Sequence, residues 1–306
     1  MIKPKRHHWW PMAQSRHWTD SKGLVYVARG NGTMFRANPL NIGVESELYT
    51  RFSDEGDKDT SVEEWFAETI DGPVSMMINH ILDPSNTGRH PFRCDPRKAK
   101  IAKDLGFRVN PYVDRVHIPS DIRQAVASYV AALLVRHPNY LAKLIDFHTE
   151  EDSKPHEIKG RALDNMLDLY RVYADRIANA VFLITRRDDS VEYIYADGGI
   201  MVKEPWRHEY GIPFDIHAPL TPDFALQVLP VPLSEDLYTA AIMDATNQGV
   251  ARQNRIILGG AQRFVFSRQP PPLKFIAANF GKPAPKNIWY RIENGRLESG
   301  YDPNRS

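Results

Sequence analysis

The spacing of apolar and polar residues predicts a chain that changes period several times. Leu24 to Ala28 and Thr33 to Ala37 are apolar runs around Arg29-Gly30-Asn31-Gly32, a pattern that predicts a β-hairpin. Thr60 and Ser61, each followed three residues later by Glu63 and Glu64, form overlapping capping boxes that open a helix expected over 61–80, with Trp65, Phe66, Thr69 and Ile70 as its apolar stripe. Ser120 opens a second helix, broadly apolar and hence central, which Pro138 interrupts. A third, from about Glu157 to Ala180, carries Ala162, Met166, Leu169, Val172, Tyr173 and Ile177 near helical spacing.

Beyond that helix the period shortens. Strands are expected at 181–185, 191–196, 200–202 and 224–228, then helices from Ser234 to about Thr246 and from Val250 to Leu258, the last closed by Gly259-Gly260. Pro270 to Pro272, Pro283 and Pro285 punctuate the remainder, and Asn294-Gly295 marks a type I′ hairpin turn. The expected fold is α+β: one largely helical domain over 1–269 on a small mixed sheet containing the strands near 24, 33, 181, 191 and 224, and a proline-rich extension over 270–306 with a short hairpin.

Composition narrows the class. With 306 residues, 42% of them apolar, the chain can bury a substantial core. Its one cysteine, Cys94, rules out an internal disulfide framework and a cysteine-rich zinc site and suits a reducing compartment, so the cytoplasm is the expected location. The basic start MIKPKRHHWWP runs into His, Trp and Pro where a signal peptide would continue apolar. The longest apolar stretch, Ala125 to Val135, is about half the ~20 residues of a membrane span, so no membrane association is expected.

The net charge of +1 conceals an asymmetry. Ten acidic residues lie between Glu45 and Asp71 against Arg51 and Lys58, whereas Ala245 to Ile292 contains no acid and carries Arg252, Arg255, Arg263, Arg268, Lys274, Lys282, Lys286 and Arg291. That block either neutralises the acidic one within the fold or offers phosphates a positive surface, with Arg252, Arg255 and Arg263 as the candidate anion contacts.

Five polar residues stand among apolar or aromatic neighbours: His8, Glu45, Arg136, Asp197 and Asn254. Each has a structural role open to it. His8 can donate to a carbonyl, Glu45 can cap a turn, Arg136 can satisfy the carbonyls of a helix end, Asp197 before two glycines can form a turn, and Asn254 can link buried backbone. A shared site would account for all five together. Walker, GxSxG, HExxH and dinucleotide-binding signatures are absent, and Gly198-Gly199 is too short to cradle a phosphate. His7, His8 and His17 are candidate metal ligands, although a cluster near a chain end is more often solvated or stacked on its Trp neighbours.

Several segments occur in a fixed order: HHWWP, ANPLNIGVESELYT, AALLVRHP, VEYIYADGGIMV with APLTPDFAL after it, and QNRIILGGAQRFVFS. In this order they resemble the bacterial domain-of-unknown-function family 4238, over roughly residues 6 to 268. The resemblance implies a His-x-x-Pro start at His8, a helix closing on Arg136, a strand ending in Asp197 and an Asn254 helix, but no reaction. Two departures stand out. Trp9-Trp10 replace the usual Tyr/Val, and Tyr195-Ala196 replace the Thr-Ser before the Asp, which removes hydroxyl nucleophiles there.

Three functions fit these residues. One is a hydrolase or nuclease-like enzyme on a phosphate-containing substrate, with His8 or Glu45 as base, Asp197 as base or ligand to a divalent metal, and Arg136 and Asn254 stabilising negative charge. The second is a non-enzymatic nucleic-acid or nucleotide sensor, and the third a protein-interaction module.

Overall fold

The structure, a computed structural model, describes residues 6–94, 96–149, 153–199, 201–202, 216–229, 238–283, 288–293 and 296–301. It is α+β, 46% helical and 24% strand. Its larger sheet has seven strands in the order Met201–Val202, Ile216–Thr221, Phe224–Leu229, Val181–Arg187, Thr239–Ala245, Tyr112–His117 and Thr87–Pro91. All neighbours run antiparallel except Val181–Arg187 with Thr239–Ala245. One face carries Phe182, Ile184, Leu226, Val228 and Ile242 into the main core. The helix Ser120–Val135 enters that core with most of its side chains buried, as its broad apolar surface requires. The helix Pro155–Ala178 adds Ala162, Leu163, Met166 and Ile177 from a single stripe.

Several expected elements differ. The strands near 24 and 33 form their hairpin, Val25–Ala28 with Met34–Ala37, but it belongs to a separate four-stranded sheet with Tyr195–Ala196 and Val265–Ser267. The run 191–196 pairs only at Tyr195–Ala196. Before that, side chains of the helix Asn247–Gly259 replace a strand partner: Val191 N–H donates to Asn247 Oδ1 (2.9 Å) and Ile194 N–H to Asn254 Oδ1 (3.1 Å). Thr239–Ala245, expected as helix, is a strand whose burial alternates over most of its length, and residues 234–237 lie outside the described residues.

The helix expected over 61–80 is interrupted. Ser61–Phe66 is α-helical, Ala67–Asp71 widens to a π-turn, and Gly72–Leu82 resumes. Pro73 accounts for this, since its ring lacks an N–H and clashes with the carbonyl four residues back. The capping boxes do not close on backbone either: Thr60 Oγ1 donates to Glu64 Oε1 (2.7 Å), while Asp59 Oδ1 takes the Ser61 N–H (2.8 Å).

The amino-terminal segment is part of the core. Arg6–His8 pairs with Val44–Ser46, and Trp10 stacks on Tyr195 (4.8 Å) and Phe266 (4.4 Å). The helix Leu273–Asn279 in the proline-rich stretch packs Ile276 beside Ile257, Leu258 and Val265. Beyond it Ile288–Glu293 pairs with Arg296–Tyr301, the connecting Asn294-Gly295 lying outside the described residues. No helix among the described residues is long and apolar enough to cross a membrane.

Candidate functional site

Asp197 leaves the strand Tyr195–Ala196 fully buried, and its carboxylate is filled by backbone. Oδ1 accepts from Gln262 N–H (2.7 Å), and Oδ2 from Arg263 N–H (2.6 Å) and Phe264 N–H (3.1 Å). Burial pushes the carboxyl above its ordinary range, while the three N–H groups and Arg263 pull it back. The clamp requires the two glycines after it. A Cβ on Gly198 would collide with the Gly260 carbonyl, and Gly199 adopts φ +71°. Asp197 thus ties the 260–264 loop to the small sheet and builds one wall of a cleft.

The opposite wall comes from the break at Pro138, which starts a new helix, Pro138–His148, capped by His137. His137 Nδ1 accepts from Asn139 N–H (3.1 Å), so the neutral ring carries its proton on Nε2. Burial, then Arg263 and Lys143, lower this imidazole to about 4. The cleft holds about 250 Å³ between Leu134, His137, Tyr140 and Lys143 on one side and Gly198, Gly260 and Gln262 on the other. It narrows inward to a slit between Trp9, Tyr195, Asp197 and Gly199. His137 Nε2, Trp9 Nε1 and the Tyr195 hydroxyl are buried and make no hydrogen bond to the described chain. A family model described as "Protein of unknown function (DUF4238)" matches residues 6–270. The chain belongs to this family. No curated protein and no solved structure matches it.

The other expected residues of this DUF4238 domain do not all meet at the cleft. Glu45 is exposed on the strand opposite His7, its Oε2 4.0 Å from Arg263 Nη2, so it borders the Asp197 loop. His8 pairs with Val44 and is half-buried, while its neighbour His7 uses Nδ1 to accept the Tyr49 N–H (2.9 Å). Arg136 is buried against Asp71, with Nη1 to Oδ1 at 2.7 Å and Nη2 to Oδ2 at 3.2 Å, and its guanidinium lies over Phe66. Asn254 is pinned to the backbone of Glu192 and Ile194 and lines a different cavity. Of the basic block, Arg255 and Arg263 are exposed, Arg252 is half-buried, and Arg268 is bound to Glu192 and Asp223.

The acidic block is met mostly by other cations, with Arg51 beside Asp59, Lys58 on Glu47 and Lys154 on Asp54. Among the described residues, the grouping with metal-ligand spacing is Asp54, His156 and Glu157. It sits on this acidic surface, where Lys154 Nζ is 2.6 Å from Asp54 Oδ1 and competes with a cation. Sequence reasoning missed Asp71, His137 and Lys143. The signal for His137 was its place immediately before a proline that starts a helix, where a side-chain acceptor caps well.

The depressed His137 has a direct consequence. Between its ordinary value of 6.5 and about 4, the unfolded chain binds a proton that the folded chain refuses. Its contribution to stability is full above pH 6.5 and lost as pH falls toward 4. The loss is on the order of 2 kcal/mol, discounted for partial exposure. His137→Asn keeps an oxygen for the cap and removes the titration, so its unfolding free energy should fall less over that range in urea titrations. Equal slopes for the two proteins would refute the assignment.

Proposed function

We propose that the His137 cleft binds a phosphate-bearing small molecule of nucleotide type, and that the protein is a cytoplasmic sensor rather than a hydrolase. The observation that carries this reading is the uncharged His137, which faces the cleft under the combined field of Arg263 and Lys143. Burial is the larger cause of the depression, and an anion placed there would offset the part that comes from Arg263 and Lys143. Lys143 and the side-chain amides of Asn139 and Gln262 on the cleft lining supply donors of the kind a phosphate accepts from. The hydrolase reading is weaker, because both oxygens of Asp197, a candidate base or metal ligand beside His8 and Glu45, already accept backbone N–H groups. A volume near 250 Å³ favours a mononucleotide or a terminal phosphate over a polynucleotide.

Titrating the protein with ATP, AMP and inorganic phosphate at low salt, while following the His137 ring by NMR, tests this. Binding should move the His137 resonances and raise its pKa. Lys143→Glu should weaken the affinity about tenfold, as expected for reversing one nearby charge. No phosphate should be released from ATP on prolonged incubation. If none of the three ligands shifts His137, the reading is wrong.

A further inference from the structure

We propose a second ligand site in the cavity between the helix Asn247–Gly259 and the proline run at 270–272, taking an apolar molecule that carries a primary amine. This site shares no lining residue with the His137 cleft and does not depend on that reading. The cavity holds about 390 Å³, room for roughly 10–15 non-hydrogen atoms with space to pack. Ile194, Ala251, Pro271, Phe275 and Ile276 make its surface mainly apolar, and the charged residue on its lining is Glu192.

The state of Glu192 decides the ligand chemistry. Its Oε1 accepts from Arg268 Nε (3.0 Å) and Nη2 (2.6 Å), whereas Oε2 is buried and accepts no hydrogen bond from the described chain. A buried carboxylate oxygen lacking a donor is an unusual feature of a folded protein. Arg268 does not neutralise Glu192 alone, since Asp223 takes Arg268 Nη2 (3.0 Å) and Arg187 Nε (2.5 Å) as well. Two guanidinium groups thus serve two carboxylates, and the group has no excess positive charge to turn an ammonium away. Of the neutral polar residues on the lining, Asn254 already spends Oδ1 on Ile194 N–H and an Nδ2 hydrogen on the Glu192 carbonyl (2.8 Å), and Ser267 Oγ donates to the Gln269 carbonyl (2.7 Å). Glu192 brings a carboxylate to a lining of proline, isoleucine and phenylalanine surface, and an aryl-alkyl or branched aliphatic amine that shifts the packing over Oε2 on entering matches both.

The test uses the full chain, phenethylamine, and 2-phenylethanol as the neutral isostere, with affinities from calorimetry. Phenethylamine should bind, and the alcohol should bind about tenfold more weakly, since a hydrogen bond to a charged acceptor is stronger than one between neutral groups. Ala251→Leu, which fills the cavity from the helix, should abolish amine binding with the circular dichroism unchanged. Glu192→Gln should erase the preference for amine over alcohol. That variant also loosens Arg268, so the Ala251→Leu result stands as the independent check. No binding of phenethylamine, equal binding of the two probes to the native protein, or undiminished amine binding by Ala251→Leu would each overturn the proposal.

Discussion

Substituting Asp71 by alanine should destabilise the protein by about 3 kcal/mol, because it leaves the Arg136 guanidinium buried and uncompensated. Arg136 is among the largest fully buried side chains, and Asp71, about a quarter exposed, supplies both of its carboxylate contacts. Burial alone would pull the guanidinium below its ordinary range, yet Asp71, with smaller contributions from Tyr49 and Glu63, offsets this and holds it above. Phe66 under the guanidinium adds a cation–π contact at 4.8 Å, and the Tyr49 hydroxyl donates to the Arg136 carbonyl. The double substitution Asp71→Leu with Arg136→Met removes the charges together and should recover most of the loss. Urea denaturation of the two single variants and the double gives the coupling directly. A loss under about 1 kcal/mol for Asp71→Ala would mean that water reaches the guanidinium, and the pair would then be an ordinary surface contact.

This pair shows why some of the site was legible in the chain and some was not. A lone Arg after an apolar helix marks a buried or terminal charge correctly, but its partner lies 65 positions earlier, where no local period points at it. Asp71 reaches Arg136 from the end of the π-turn that Pro73 accompanies, and tertiary geometry of that sort is not encoded in spacing. The hairpin around Arg29-Gly30-Asn31-Gly32 and the long central helices were readable, because turn chemistry and a 3.6-residue stripe are local. The strand Thr239–Ala245 was misread since an alanine-rich run satisfies a helical pattern as easily as an alternating one. Asp197-Gly198-Gly199 announced a turn. The acceptor role of its carboxylate depends on the 262–264 backbone, 65 and more residues away.

Substituting Asp197 should show that its carboxylate holds the cleft together. Asp197→Ala leaves the N–H groups of Gln262, Arg263 and Phe264 without their acceptor in a site where the carboxylate itself is fully buried. An unsatisfied buried donor costs about 1–3 kcal/mol, and partial relaxation of the loop brings the sum to about 4 kcal/mol. Asp197→Asn preserves shape but turns an NH2 toward at least one N–H donor, so it should lose about 3 kcal/mol and lower the melting temperature by roughly 5–10 °C. Hydrogen exchange at the Gln262, Arg263 and Phe264 amides should accelerate in both variants before the central helix is affected, since the loop opens locally first. Ligand affinity at the His137 cleft should fall with it, because Gly198, Gly260 and Gln262 are wall residues. A carboxylate acting only on substrate or metal predicts the opposite pattern: Asp197→Asn would leave the melting temperature and these exchange rates unchanged while abolishing turnover. That outcome would return Asp197 to the role of a base and restore the hydrolase reading.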